Sequence, residues 1–143
     1  MKLFTIGFTR TSAEHFFARL KAAGVKTVID VRLNNASQLA GFAKKDDLAF
    51  FARTICGAGY AHLTELAPTP PMLKAYRDSK DGWPAYARAF LDLMARRRIE
   101  RLDRARLDGG CLLCSEAVPH HCHRRLVAEY LRDKWGAVEI EHL

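Results

Sequence analysis

The sequence predicts an α/β protein: one three-layer domain over residues 1–143, with a mainly parallel sheet of about five strands and helices on both faces. Short apolar, β-branched runs alternate with segments whose apolar residues recur at helical spacing. This alternation is typical of parallel strands joined by right-handed crossovers. The length of 143 residues suits a single hydrophobic core and leaves little room for a second domain.

The first strand, helix and second strand have clear signals. The apolar run at residues 3–8 predicts a buried strand. Thr11 and Glu14 form a capping-box pattern at the start of a helix, and Gly24 lies where its C-terminal cap is expected. The β-branched run at residues 25–31 then predicts the second strand.

The next segment begins with a loop that has no clear period, at residues 34–45. Asp46 or Asp47 can cap a second helix, which ends at Gly57. Three apolar residues share one face of this helix: Leu48, Phe51 and Ile55. Residues 60–63 predict a short third strand.

The second half begins with a proline-rich connection at residues 65–83, with one helical turn expected near Leu73. Pro84 then opens a long helix. The buried face of that helix is predicted to carry Tyr86, Phe90 and Met94. Residues 111–115 predict the fourth strand, and residues 138–143 the fifth. Between these strands, helical spacing recurs at Leu126, Val127, Tyr130, Leu131 and Trp135.

Composition and charge narrow the class of protein. No apolar run approaches the ~20 residues needed to span a bilayer, and the N-terminus lacks a signal-peptide pattern. We therefore expect a cytoplasmic protein with no membrane partner. The net charge of +7 favours an anionic small molecule or a nucleic acid as partner. In a reducing compartment, the four Cys residues are expected to be free thiols, metal ligands or catalytic groups.

Polar residues are predicted to converge at one rim of the sheet. Parallel α/β sheets bind ligands beyond the carboxyl ends of their strands. This rule places Asp30 and Arg32, at the end of the second strand, beside Cys114 and Glu116, at the end of the fourth. The last helix begins at the same rim, near Cys122.

The candidate site residues suggest roles by their chemistry. If Pro119 occupies the first helical position, Cys122 lies in the first turn, where unpaired amides stabilise a thiolate nucleophile. Cys122 can equally be a small packed residue. Asp30 or Glu116 can serve as a general acid or base, although Asp30 can equally be half of a structural ion pair. The remaining candidates are expected to bind the substrate, the arginines by clamping an anion: Arg32, Cys114, His123 and Arg124.

A metal site is a weaker interpretation of the same residues. In a strand, Cys111 and Cys114 point to opposite faces and lie about 10 Å apart, so they cannot readily share an ion. Cys114, Cys122 and a neighbouring His could share one, but no fourth ligand is evident. We therefore predict no metal ligands, and a metal-binding or redox function at Cys114 and Cys122 stays an alternative.

A second alternative uses the arginine-rich stretch from Arg96 to Arg106. Its arginines cover one side of a helix and are expected to be a solvated face. They could also contact phosphates as a non-catalytic nucleic-acid-binding module, with steeply salt-dependent affinity. No zinc-finger, homeodomain or RNA-recognition pattern accompanies them, and no nucleotide-cofactor fingerprint is present.

Several blocks occur in an order typical of one known family. They are Phe4 to Gly7, Asp30-Val31-Arg32, Phe42, Tyr60, Glu65-Leu66, and the block from Leu112 to Glu116 that continues through Pro119 to Cys122-His123-Arg124. In these blocks the chain resembles the uncharacterised family called domain of unknown function 488. The resemblance implies a small single-domain α/β protein of the bacterial and archaeal cytoplasm, and it implies no particular reaction.

The leading hypothesis from the sequence is an enzyme that acts on an anionic substrate, a nucleotide or nucleic-acid phosphate, at this Cys/His/Arg/Asp/Glu pocket. The two alternatives are the nucleic-acid-binding module and the metal-binding or redox protein. The sequence assigns no cofactor and no oligomeric state.

Overall fold

The computed structural model describes residues 1–36, 40–78, 82–116 and 119–143. The strands are β1 (Lys2–Gly7), β2 (Thr27–Asp30), β3 (Gly59–His62), β4 (Gly110–Cys114) and β5 (Glu139–His142). The helices are α1 (Ala13–Ala23), α2 (Lys45–Cys56), α3 (Pro70–Asp78), α4 (Gly82–Arg97), α5 (Arg104–Leu107) and α6 (His123–Trp135). Short 3-10 turns occupy Gly41–Ala43, Thr64–Leu66 and Ile99–Arg101.

The strands form one parallel sheet in the order β3-β2-β4-β1-β5. The predicted α/β class and the parallel five-stranded sheet are therefore confirmed. β4 lies between β1 and β2, with Gly7 opposite Cys114 and Asp30 opposite Leu113. The carboxyl ends of these three strands are consequently level and adjacent, and α6 begins beside them.

Two apolar cores cover the two faces of the sheet. One packs α1 and α2 against the strands through residues such as Phe16, Leu20 and Leu48. The other packs α4 and α6 against the opposite face, through Phe90 and Leu131 among others. These two layers of helices are the predicted three-layer arrangement. One detail differs: Ile55 of α2 is exposed instead of sharing the buried face with Leu48.

Helix ends follow the sequence signals closely but not residue for residue. The N-cap of α1 is Ser12 and not Thr11, the residue that the capping-box pattern predicted. The Ser12 hydroxyl accepts a hydrogen bond from the His15 amide. Adjacent hydroxyl residues satisfy almost the same pattern, so one-residue shifts are easy. Asp46 and Asp47 lie inside the first turn of α2, where they favour the helix dipole without capping it. Both glycine caps, at residues 24 and 57, are confirmed in the left-handed conformation.

The proline-rich connection is more ordered than the sequence predicts. It contains α3 as well as the Thr64–Leu66 turn, whereas only one helical turn was expected there. Proline fits the first turn of a helix because the amides there need no partner, so Pro70 begins a helix instead of breaking one. Tyr76 of α3 stacks on Tyr86 of α4 at a ring distance of 4.7 Å. The described residues include no helix with the length and apolar character needed to cross a membrane.

Candidate functional site

A cavity of about 290 Å³ opens at the rim where β2, β4 and α6 meet. Its lining includes five of the seven residues that the sequence singles out: Arg32, Cys114, Glu116, Cys122 and His123. Asp30 and Arg124 lie behind this lining and are both fully buried. The seven residues therefore lie at one rim of the sheet, as predicted, but only five of them line the cavity and two are buried behind it.

Cys114 and His123 both line the cavity and contact each other. The Cys114 Sγ lies 3.6 Å from His123 Nδ1. The other ring nitrogen, Nε2, lies 2.7 Å from the carbonyl oxygen of Val31. A carbonyl oxygen only accepts hydrogen bonds, so Nε2 must carry a proton. In the neutral ring, Nδ1 is then the nitrogen able to accept the thiol proton of Cys114.

The start of α6 differs from the sequence prediction in a way that matters here. Pro119 is not the first helical residue: Cys122 is the N-cap, with extended backbone, and His123 is the first residue of the helix. The imidazole consequently turns back over the end of β2, toward Val31. Cys122 is 2 % exposed and its thiol faces Cys114, so it is a packed neighbour and not an open first-turn thiol.

The two thiols hold their protons very differently. The hydrogen bond from Cys122 holds the pKa of Cys114 well below its ordinary value, against the effect of burial, and His123 adds to this lowering. The pKa of Cys122 is raised by the same hydrogen bond and by burial. Burial is the largest single effect on the pKa of His123 and lowers it, but the charge of Cys114 and the hydrogen bonds to Cys114 and Val31 together outweigh it, so the net shift is upward. The negative charge of the cluster therefore resides on Cys114, beside an imidazole that tends to be protonated.

Asp30 is fully engaged in a buried network. Its carboxylate accepts hydrogen bonds from the Arg32 Nε and Nη2 groups, both at 2.8 Å, and from the Arg32 amide. The Tyr60 hydroxyl donates a further bond at 2.6 Å. Asp30 is 0 % exposed and does not line the cavity, whereas Arg32 does. Of the two sequence interpretations of Asp30, this geometry corresponds to the structural ion pair, which holds Arg32 at the rim.

Arg124 is completely buried beneath the cavity. Its Nη1 donates to the Glu116 carbonyl oxygen at 2.6 Å, and its Nε donates to the Thr5 hydroxyl at 3.3 Å. Within the described ranges, its Nη2 has no hydrogen-bond partner and the guanidinium has no ion pair. Its positive charge lowers the pKa of Cys114, after the larger effects of Cys122 and His123. Arg124 thus fixes the segment after β4 and favours negative charge in the cavity.

Glu116 presents its two ends differently. Its backbone carbonyl is held by Arg124, while its side chain is exposed at the cavity mouth. The carbonyl also passes directly over Gly7, where any Cβ would overlap its oxygen. Glycine at this position therefore allows the end of β1 and the segment after β4 to approach closely. The carboxylate is free to meet solvent or a ligand.

Sequence reasoning missed the aromatic wall of the cavity. Four aromatic side chains line the cavity: Tyr76, Trp83, Tyr86 and His121. Trp83 stacks on His121 with the rings 5.1 Å apart and 17° from parallel. Tyr86 is predicted from the sequence only as a core residue of α4. The available signal was the length of the connection at residues 65–83, because a loop of that length in a compact domain is often functional or a lid.

Three potential metal ligands come together in the cavity. The ligand atoms of Cys114, Cys122 and His123 lie within 4.8 Å of one another, and all three residues are buried. Cys111 belongs to the core on the opposite face of the sheet, as the strand alternation predicted. The ligand set of the metal-binding alternative, Cys114, Cys122 and a neighbouring His, therefore comes together in the structure, and Cys111 is not part of it.

The arginine-rich stretch is not a uniform solvated face. Arg97 donates through Nη1 to the carbonyl oxygens of Glu65, at 2.8 Å, and Ala67, at 2.7 Å. Arg104 lies over the ring of Trp135 at 5.3 Å. These two side chains therefore hold the connection and the last helix, which leaves fewer charges for phosphate contacts than the sequence interpretation assumed.

Comparisons with known proteins give one positive result. The family model described as "Domain of unknown function DUF488" matches residues 12–131, a range that contains the cavity residues named above. Neither the curated proteins nor the solved structures yielded a match. Because the family model covers most of the chain and agrees with the sequence resemblance, this protein belongs to the DUF488 family.

Proposed function

We propose that this protein is an enzyme that uses Cys114 as a nucleophile and His123 as its base, on a small anionic substrate held in the cavity. One observation carries the proposal: the imidazole that faces the Cys114 thiol is held by Val31 in the orientation that a general base requires. Cys122 was the nucleophile expected from the sequence. Cys114 is favoured instead because the imidazole contacts it directly.

The reaction can be written with the groups at hand. His123 Nδ1 holds the proton taken from the Cys114 thiol, and the resulting thiolate sulfur attacks an electrophilic carbon or phosphorus atom of the substrate. The protonated Nδ1 then donates its proton to the leaving group, which departs as the new bond to sulfur forms. The Val31 carbonyl keeps the ring in place throughout, the role that a third group plays in other nucleophile–base pairs.

Charge and size support an anionic substrate of low mass. Arg32 lines the cavity, and its Nη1 has no hydrogen-bond partner among the residues that the structure describes. A cavity of about 290 Å³ suits a small molecule and is too small for a nucleic-acid duplex. Aromatic side chains such as Tyr76 and Trp83 offer contact to a planar group. A phosphate-bearing nucleotide combines these features and is our choice of substrate class.

The proposal is tested by labelling each cysteine separately. The full chain is treated with iodoacetamide, which is neutral, or iodoacetate, which is anionic, and mass spectrometry follows each thiol. We expect Cys114 to react faster than Cys56, an internal control whose pKa is raised by burial. His123→Asn should slow labelling of Cys114 by about 100-fold, the size of a general-base effect, and leave Cys56 unchanged.

The anionic reagent tests the charge of the cavity. Iodoacetate should favour Cys114 over Cys56 more strongly than iodoacetamide does, because Arg32 and Arg124 attract the carboxylate. Labelling of Cys114 no faster than Cys56, or a rate that His123→Asn leaves intact, would contradict the proposed nucleophile. An iodoacetate preference no greater than that of iodoacetamide would contradict the anionic substrate.

A further inference from the structure

In the proposed reaction Cys122 serves only as a hydrogen-bond donor to Cys114. Cys122 is a buried thiol whose sulfur lies within 4.8 Å of both the Cys114 sulfur and the ligand nitrogen of His123. General-base catalysis requires Cys114 and His123 only. The third group turns the pair into a set of two sulfurs and one nitrogen, which is a donor set typical of zinc.

We infer that Cys114, Cys122 and His123 form a site for a single Zn²⁺ ion, and that zinc bound there blocks Cys114 as a nucleophile. The site itself stands on the donor geometry. Its inhibitory effect rests on the proposed function, because a sulfur lone pair held by zinc is not free to attack a substrate.

The spacing of the donor atoms agrees with tetrahedral coordination. Zinc bonds of about 2.3 Å to sulfur and about 2.0–2.1 Å to nitrogen, at the tetrahedral angle, place the two donors about 3.6 Å apart. The Cys114 Sγ and His123 Nδ1 are 3.6 Å apart. Two zinc-bound sulfurs lie about 3.8 Å apart by the same arithmetic. The observed upper limit of 4.8 Å between ligand atoms requires only a small adjustment of Cys122.

The surroundings of the three donors fit a metal ligand set as well as a nucleophile. His123 presents Nδ1 to the sulfurs while Nε2 donates to the Val31 carbonyl, an outer hydrogen bond of the kind that orients ligating imidazoles. Two thiolates and a neutral imidazole compensate the charge of Zn²⁺, so the buried cluster would carry no net charge. An uncompensated ion would be costly at this depth.

Three protein donors leave one position of a tetrahedral ion open. The same three residues line the cavity, so the fourth ligand would come from a water molecule or a small anion there. Soft thiolate donors select zinc over the hard ions Mg²⁺ and Ca²⁺, which prefer oxygen. The site is therefore expected to discriminate between these metals by chemistry and not by charge alone.

Zinc binding is measured on the full chain, purified without a histidine tag and treated with a chelator. Titration of Zn²⁺ against a chromophoric chelator should give one ion per chain, and Mg²⁺ should not compete. Loss of an outer hydrogen-bond partner of a ligand typically weakens metal affinity about 10–100-fold. Cys122→Ser removes a ligand itself and should weaken the affinity for Zn²⁺ by at least this factor. Cys56→Ser is the matched control and should bind zinc like the wild type, since Cys56 lies outside the cavity.

A second readout needs no variant. Co²⁺ added to the wild-type chain should produce a thiolate-to-cobalt charge-transfer band, and equimolar Zn²⁺ should remove it. Absence of one-to-one binding, absence of that band, or affinity unchanged by Cys122→Ser would overturn the zinc site.

The labelling assay separates failure of this inference from failure of the proposed function. One equivalent of Zn²⁺ should stop alkylation of Cys114 and leave Cys56 reactive. If Cys114 is labelled rapidly and bound zinc does not slow the labelling, the inhibitory role is wrong and Cys114 remains the proposed nucleophile. If the chain binds zinc but Cys114 is not labelled in the metal-free protein, the result supports the metal site and contradicts the proposed reaction.

Discussion

The Asp30 carboxylate offers the sharpest test of how the rim is held together, through the substitution Asp30→Asn. The carboxylate accepts three hydrogen bonds from Arg32 and one from Tyr60, at 0 % exposure. Each oxygen accepts two of these bonds. In asparagine, an NH₂ group replaces one of the two oxygens and would face the N–H or O–H groups that donate to that oxygen. Two hydrogen bonds are therefore lost, whichever way the side chain is turned.

The expected cost follows from these two lost bonds and the lost charge. Hydrogen bonds to charged groups contribute about 1.5–3 kcal/mol each, and breaking one side of a buried ion pair costs about 3–5 kcal/mol. We therefore expect Asp30→Asn to lower the free energy of unfolding by about 3–5 kcal/mol. Tyr60→Phe removes the bond that the hydroxyl donates to Asp30 and the bond that it accepts from the Asn35 side chain, and should cost about 2–4 kcal/mol.

Urea unfolding, followed by tryptophan fluorescence and circular dichroism, measures these differences. Asp92→Asn is the matched control, because Asp92 is an exposed carboxylate on α4 and should change stability by less than about 0.5 kcal/mol. A loss below about 1 kcal/mol for Asp30→Asn would refute the structural role. If the variant is that stable but its Cys114 no longer reacts, Asp30 would instead take part in the reaction.

Three further predictions concern the surroundings of the site. Gly7→Ala should lower the free energy of unfolding by about 1–3 kcal/mol in urea, because its Cβ overlaps the Glu116 carbonyl oxygen and the backbone must shift. Arg97→Met should release the Thr64–Leu66 turn, seen as faster amide hydrogen exchange there, because Arg97 donates to carbonyls of this segment. Burial lowers the pKa of His142 from 6.5, with Arg124 adding to the effect, so stability should fall as the pH drops below about 6.5.

Each of these has a clear contrary result. Wild-type stability in Gly7→Ala would mean that the close approach to Glu116 is not required. Unchanged exchange in Arg97→Met, with Arg96→Met as the exposed control, would leave Arg97 as an ordinary surface charge. For His142 the unfolded chain binds the proton more readily than the folded one, so His142→Gln should flatten the stability profile between about pH 7 and pH 5. A profile identical to the wild type would contradict the assignment.

The position of the site was predictable because it follows from chain topology. Apolar runs located the strands, and parallel strands place their carboxyl ends at one edge. That was sufficient to bring Arg32, Cys114 and Glu116 to the same cavity as the start of α6. Alternation along a strand was also sufficient to send Cys111 and Cys114 to opposite cores.

The pairing of groups inside the cavity was not predictable to the same degree. It depends on where α6 begins, because each residue along a helix changes the direction of a side chain by about 100°. The helix begins at His123 and not at Pro119. With Pro119 as the first helical position, Cys122 lies in the first turn, beside the unpaired amides. With Cys122 as N-cap, it packs inward, and His123 reaches both Cys114 and Val31. Periodicity does not fix a helix end to one residue.

The two layers of the site were hidden for a different reason. Sequence reasoning left open whether Asp30 is an ion-pair partner or a catalytic acid, because burial depends on neighbours that are distant in the chain. Tyr60 of β3 and the Ala43 carbonyl complete the network of Asp30 and Arg32. The aromatic wall likewise required α3 and α4 to pack together, which composition alone does not reveal.

The protonation of His123 tests the central arrangement most directly. Nitrogen-15 NMR of the imidazole distinguishes the two ring nitrogens, in the wild type and in Cys114→Ser. We predict that Nε2 carries a proton in both proteins, because it donates to Val31, and that Nδ1 changes its shift when the Cys114 sulfur is replaced. A ring with an unprotonated Nε2, or an Nδ1 signal that ignores Cys114→Ser, would contradict the thiol–imidazole unit on which the proposed reaction depends.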